Sequence, residues 1–419
     1  MSQSPVVPVR DSRTTAQVRL GERAVTALTT ELTRHSGPKH GLLVGARAGS
    51  LVLTVAIESL LPGDRLTVVA VPGAADAISS HVHGRGAWVA ERVRVTETLA
   101  EADAADVVIV AEPVTGSAEA ARALLDDVIK HLTEGAVVTV ATVAAPGLAD
   151  GASAELARQT TFYGVGTDLV IRNRPPVRIH RLRFAAAPVE VASRLRPAVR
   201  PSSVPLTASM NIDSNGIAAA GIALGLAVAG RAGRRRGSKL WLLPALAAVP
   251  VAAFFRDPER AVPEDGAAVV AASDGKVLSV ERLADTRLGD GEFLRVAVFL
   301  SVLDVHVNRC PVAGRVADFF VEDGGFAAAM KPEAEHNVAA YTVLDTEHGT
   351  VVVAQRTGLI ARRIVQRAPI GSMLARGERF GLIRFGSRTD VYLPAGAAEA
   401  TVVPGDKVRG GSTVIARWL

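Results

Sequence analysis

The stretch IRFGSRTDVYLP, residues 383–394, sets a Gly-Ser pair inside what otherwise reads as a β-strand. Glycine weakens a strand interior and lets another group approach the backbone closely. Gly386-Ser387 is therefore either a bulge or a peptide bond at which something is done. A serine hydroxyl attacks when a general base takes its proton, and imidazole is the usual choice near neutral pH. Two histidines stand in polar company, His306 in LDVHVNR, beside Asp304 and Arg309, and His336 in EAEHN. On its own His306 also reads as a satisfied core histidine, Asp274-Gly275 in SDGKV as a turn, and Asp304 as a turn cap. Arg309 and Arg362-Arg363 offer cations for a phosphate or carboxylate, or plain surface charge. Cys310 is the one cysteine, which excludes a disulfide framework and any multi-cysteine metal site. It reads as packing, and no metal is expected.

These residues must be positioned by a chain of 419 residues, too long for one ordinary core. Hydrophobic residues make up 48% and charged residues 21%, and the mean hydropathy of +0.26 calls for a membrane search. The net charge of +5 suits an anionic lipid surface. No basic tail or aromatic-basic interleaving argues for nucleic acid. The first 25 residues lack an apolar run of signal-peptide type.

Three regions follow one another. Up to about residue 190, strand-like runs HGLLVGA (40–46), RLTVVAV (65–71), ADVVIVA (105–111) and AVVTVAT (136–142) alternate with helical patterns such as 117–135. That alternation predicts a parallel α/β sheet, with 174–185 as a late antiparallel edge strand. A Pro-, Ser- and Ala-rich stretch, about 186–208, reads as linker. Next come two apolar segments, 216–230 and 240–255, around the basic RAGRRRGSK. Each is roughly 22 Å long as a helix, short of the ~20 residues of a simple span. They read as buried core helices or as a membrane-embedded or re-entrant hairpin; the lack of a polar face favours the hairpin. From about 256 onward, short β-type runs punctuated by Gly, Pro and Asp predict an antiparallel β-rich domain.

The first region, with GARAGS (45–50), AEPVTG and TFYGVGTDLVIRNRPPVRIHRLRF, resembles a class I methyltransferase domain. The nucleotide signals are reduced: Gly45 and Gly49 flank Arg47, and Ala70 stands where an acidic residue would bind ribose hydroxyls. Losing that carboxylate removes charge-assisted hydrogen bonds of about 1.5–3 kcal/mol. A silent or regulatory domain is the expectation.

Five stretches in the last region, FFRDPER (254–260), SDGKV (273–277), VFLSVLDVHVNRCPVAG (298–314), GLIARRIV (358–365) and GERFGLIRFGSRTDVYLP (377–394), together resemble the phosphatidylserine decarboxylase proenzyme family, in its short bacterial branch. The resemblance implies self-cleavage at Gly386-Ser387. The Ser387 hydroxyl would attack the Gly386 carbonyl to give an ester. Elimination to dehydroalanine and hydrolysis would then leave a pyruvoyl group capping residues 387–419. That ketone would take the amine of phosphatidylserine as a Schiff base and act as electron sink for loss of CO2. His306 matches an active-site histidine of the family, and Asp274 its relay aspartate. Where the longer branch has a second histidine, this chain has Arg309. Asp304 would orient His306; Arg309 and Arg362 would bind the substrate's anionic groups. GGST (410–413) looks like the longer branch's cleavage sequence but lacks its flanks, so Gly410-Gly411 reads as a turn.

The expected organisation is a methyltransferase-like α/β domain (1–190), a linker (191–212), a membrane-associated apolar hairpin (213–256) and a decarboxylase-like domain (257–419). The expected partners are phosphatidylserine, an anionic membrane surface at the cytoplasmic face of the cell membrane, and the two cleaved chains bound to each other in a homo-oligomer. Two other readings stand beside this one. The first is a bifunctional enzyme with an active S-adenosylmethionine-dependent lipid methyltransferase domain. The second is an unprocessed lipid-binding scaffold.

Overall fold

The computed structural model describes residues 18–145, 147–198, 203–207, 209–232, 239, 241–359, 363–384 and 387–419. The chain divides into two compact units, 1–201 and 202–419.

The first unit holds strands β1 His40–Ala46, β2 Arg65–Ala70, β3 Val93–Thr96, β4 Ala105–Val110, β5 Leu132–Val143, β6 Gly164–Val170 and β7 Val177–Leu182. They form one sheet in the order β3-β2-β1-β4-β5-β7-β6. The first five run parallel and β7 runs antiparallel to both of its neighbours. Alternate residues of each strand enter cores on opposite faces, Leu43, Val68 and Ile109 on one, Leu42, Val69 and Val108 on the other. Helices cover both faces, which is why these strands are apolar throughout. The predicted parallel sheet is present, but the antiparallel strand lies inside it, with β6 at the edge. The helix expected over 117–135 ends at Ile129, and β5 begins at Leu132. Part of the expected linker is folded. Leu195 and Ala198 are buried, and the Arg196 N–H donates to the Arg34 carbonyl at 2.7 Å. Without a periodic pattern, that packing is invisible in composition.

The second unit begins with β8 Ser203–Thr207 and β9 Met210–Asp213, then two helices, Ser214–Ala232 and Leu242–Phe254, then β10 Arg256–Pro258. β9 pairs with β8 and β10, so the strands entering and leaving the helical hairpin are stitched together at its foot. The hairpin exposes Ile222, Leu226 and Val228 on the first helix and Leu243, Leu246 and Val249 on the second. No helix among the described residues is long and apolar enough to cross a membrane.

The rest is β-rich. Its strands are β11 Ala268–Val270, β12 Gly275–Ala284, β13 Glu292–Leu300, β14 Val307–Arg309, β15 Gly314–Glu322 and β16 Ala339–Thr346. They continue with β17 Gly349–Arg356, β18 Arg363–Gln366, β19 Met373–Leu374, β20 Arg379–Arg384 and β21 Ser387–Pro394. The last are β22 Ala398–Ala400, β23 Lys407–Val408 and β24 Val414–Trp418. The large sheet runs β19-β15-β16-β17-β21-β13-β12-β23, a small one β14-β20-β18, and a third β11-β24-β22. β21 is thus central, with antiparallel partners on both sides.

Candidate active site

Ser387 is the first residue of β21 and is fully buried. Strand alternation sends Thr389, Val391 and Leu393 to the same face, where Val391 and Leu393 join the main core with Val298 and Val353. The Ser387 Oγ has no hydrogen-bond partner among the described residues. Burying a hydroxyl that way costs about 1–3 kcal/mol and calls for an explanation. Two more orphaned polar atoms, Asn308 Nδ2 and Gln355 Oε1, belong to a buried amide pair joined by a 2.6 Å hydrogen bond. Gln355 sits opposite Thr389 in the register, and Thr389 shares a 2.7 Å hydroxyl bond with Ser273. Gly386 lies outside the described residues, as does Arg362.

His306 precedes β14 and is buried, its ring 4.2 Å from that of Phe254 at the end of the second hairpin helix. Its carbonyl accepts the Ile383 N–H at 3.2 Å, which ties it to β20, the strand leading to residue 387. Its Nδ1 lies 2.9 Å from the Asp304 carbonyl oxygen. A carbonyl only accepts, so Nδ1 carries the proton and Nε2 is the basic nitrogen. Burial lowers the imidazole pKa to about 4, which keeps the ring neutral at physiological pH. Asp304 orients His306 through its backbone. Its carboxylate instead caps the loop, accepting from Ser301 N at 2.8 Å and Ser301 Oγ at 2.7 Å.

Asp274 faces Arg260 and the turn at 410–413. Its Oδ2 pairs with Arg260 at 2.7 Å and its Oδ1 accepts the Gly410 N–H at 2.8 Å. It thereby fixes the turn at 410–413, where Gly411 has φ 77°. Ser412 donates to the Ala261 carbonyl, so that region is the turn expected of it. Arg309, expected to meet substrate, is buried instead. Its guanidinium donates to Asp257 Oδ1 at 3.1 Å and to the carbonyls of Pro258 and Gly377. Desolvation lowers its pKa to about 10, with the Arg379 charge adding to it, so it remains a cation. Asp257, in the stretch FFRDPER, is the buried anion between Arg309 and Arg379. Its role is to lock β10, at the hairpin's foot, onto β14 and β20. Cys310 is buried in the core, its thiol pKa pushed up by desolvation.

The opposite face of β21 carries charges that sequence reading passed over. Arg388 Nε donates to Asp390 Oδ1 at 2.6 Å, and Arg356 Nε to Asp390 Oδ2 at 2.8 Å. Glu335 then bridges Arg295, Arg356 and Arg388. Arg356 and Asp390 are wholly buried. The signal was present in SRTD, since charges on one face of a central strand must be paired. A cleft of about 530 Å³ on this side, lined by Arg295, Arg388, Lys331, Glu281 and Glu335, is nearly charge-balanced and lies away from the Ser387 hydroxyl.

Residues 249–416 match the phosphatidylserine decarboxylase family model. A phosphatidylserine decarboxylase proenzyme of Symbiobacterium thermophilum is 49% identical over 166 residues, 39% of this chain and 77% of that protein. One of Thermobifida fusca is 45% identical over 207 residues, 43% of this chain and 91% of the relative. The chain belongs to the phosphatidylserine decarboxylase proenzyme family.

The family match lies within the second unit. For the first, similar solved structures are methyltransferases. They include the mitomycin 7-O-methyltransferase MmcR, at 17% identity and TM-score 0.30, covering 39% of this chain and 54% of that one. The precorrin-6Y C5,15-methyltransferase of Geobacter metallireducens GS-15 has 20% identity and TM-score 0.30, covering 42% and 95%. The strand order of this unit reverses between β1 and β4, where a ligand crevice belongs in such sheets. There Gly45 and Gly49 take φ 76° and 72°, and Arg47 pairs with Glu112 at 2.5 Å. Ala70, at the end of β2, is buried and offers no acceptor side chain.

Proposed function

We propose that the second unit cleaves itself between Gly386 and Ser387 and then decarboxylates phosphatidylserine to phosphatidylethanolamine. The observation that carries the reading is the buried Ser387 Oγ, without a hydrogen-bond partner among the described residues, at the head of a central strand and next to a glycine in the sequence. In this proposal His306 Nε2 accepts the Ser387 proton while the Asp304 carbonyl holds the ring. The hydroxyl adds to the Gly386 carbonyl, the peptide C–N bond breaks and an ester forms. Loss of the carboxylate of residue 386 from Cβ leaves dehydroalanine, and hydrolysis releases ammonia. The residues present fit the pyruvoyl group this leaves: a serine supplies its three carbons, and that serine is fully buried. Once formed, the group supplies an electron sink for decarboxylation. Asp274 and Arg309 act in this scheme by positioning the framework.

The two chains stay together because β21 keeps its pairing with β13 and β17, and β24 its pairing with β11. Arg388 and Asp390 add buried ion pairs to Arg356 and Glu335 across the cut. The exposed apolar hairpin docks on the lipid surface that holds the substrate, as a patch of this kind does when it is not covered by protein.

Intact mass spectrometry tests the scheme. The native protein is expected as two chains, 1–386 and 387–419, the smaller lighter by one ammonia than a peptide starting with serine. Ser387→Ala is expected as one uncut, inactive chain. A native preparation that stays uncut would sink the proposal. Cleaved protein that fails to float with phosphatidylglycerol vesicles would refute the docking role of the hairpin.

A further inference from the structure

β18 and β20 pair so that Arg363 stands directly opposite Arg384. Like charges facing each other across an antiparallel pair are destabilising. Among the described residues no carboxylate pairs with either guanidinium. Arg363 is exposed. Arg384 is half-buried, donates through Nη2 to the neutral Asn215 Oδ1 at 2.6 Å, and keeps its buried Nε unpartnered. The nearby Asp213 is already spent on Arg367, which takes both of its oxygens at 2.5 and 2.7 Å. An uncompensated arginine pair of this kind suits an anion from outside the chain, and the guanidinium fork matches phosphate geometry.

Its place in the unit says which anion. The next pair along the same face, Val365 and Leu382, packs with Phe254, Phe255 and Ile212 at the foot of the apolar hairpin. The Arg384 guanidinium itself lies 6.0 Å from the centre of the Phe255 ring. In the other direction, β20 ends at Arg384 and β21 begins at Ser387. The arginines therefore stand between the surface that meets lipid and the bond that is cut. A phospholipid headgroup reaching from one to the other passes them with its phosphodiester.

We infer that Arg363 and Arg384 form the subsite for the phosphodiester of the headgroup, an inference that rests on the function proposed above. The serine carboxylate is the poorer occupant. Its charge disperses as CO2 leaves, so two guanidinium groups on it would stabilise the ground state more than the transition state. The phosphodiester keeps its charge throughout. Binding it is uniform, and its loss raises KM with little change in kcat.

The test uses the full chain with Arg363→Gln, Arg384→Gln and the double variant, assayed on phosphatidylserine in mixed micelles. Cleavage on a denaturing gel reports whether each has folded; should Arg384→Gln fail to cleave, the exposed Arg363→Gln carries the test. KM is expected to rise about tenfold per arginine, the equivalent of one charge-assisted hydrogen bond, with kcat within about twofold. An unchanged KM in both variants overturns the subsite, as does a fall in kcat alone. A second arm needs no activity. Uncut Ser387→Ala is titrated calorimetrically with monomeric short-chain phosphatidylethanolamine, with and without Arg363→Gln. Binding weakened by the arginine change supports the subsite even if the native protein proves unable to decarboxylate, in which case the function alone falls. Displacement of that lipid by inorganic phosphate at equal concentration would reveal a free-phosphate site and overturn the headgroup assignment.

Discussion

Two sites in this molecule, one in each unit, treat their polar groups in opposite ways. At the switch point of the first sheet, Arg47 and Glu112 satisfy each other, and Ala70 offers nothing to a ligand. Around β21, Ser387 Oγ, Asn308 Nδ2 and Gln355 Oε1 are buried and have no hydrogen-bond partner among the described residues. In the first site the charged side chains answer each other. In the second some polar atoms are left waiting, and the cost is offset by the packing around them. The buried histidines repeat the contrast. His180 in the first unit is held by Thr142 and Thr160, one hydroxyl on each ring nitrogen. His306 has its Nδ1 fixed by a carbonyl and its Nε2 defined as a base.

The comparison breaks first, and most visibly, at the charges behind β21. Asp390→Ala takes from the wholly buried Arg356 its fully buried counter-ion and leaves it only the more exposed Glu335, and a loss of about 3 kcal/mol is expected in urea unfolding. A loss under 1 kcal/mol would mean that the network does not hold the two chains together.

Acid gives a smaller effect with a definite sign. Burial lowers the pKa of His306 and of His180 from 6.5 to about 4. Between those values the unfolded chain binds more protons, so stability falls as pH drops from 6.5 towards 4, by on the order of 2–3 kcal/mol for each histidine. His306→Asn and His180→Asn should each flatten that slope. Only His306→Asn should also slow self-cleavage, whose native rate is expected to stay level down to about pH 5 and to fall as the imidazole protonates. Equal cleavage by both variants would erase the distinction between the two histidines.

The smallest effect is expected in the first unit. Glu112→Gln breaks a surface pair and should change stability by at most about 1 kcal/mol. Calorimetric titration with S-adenosylmethionine should give no saturable heat, and a saturable isotherm would make this crevice a working site.

Much of this was legible in the chain. HGLLVGA became β1 residue for residue, because a strand buried on both faces reads as an unbroken apolar run. Gly386-Ser387 stood out because glycine in a strand needs a reason. The placement of the charged residues was harder to read. Arg309 looks like any motif arginine until Asp257, 52 positions away, is found against it. Asp274 sits in a motif yet faces Arg260 and Gly410. Arg363 and Arg384 became a pair only through strand register.

By itself, then, the sequence determined the order of the regions, the apolar hairpin and the residues able to do chemistry. Those follow from local pattern and side-chain type. The tertiary structure decided which charges are spent on one another and which have no counter-ion among the described residues. Pairing depends on contacts between residues distant in the chain, and in a dry interior each such contact sets whether a cation is a strut or a binding group.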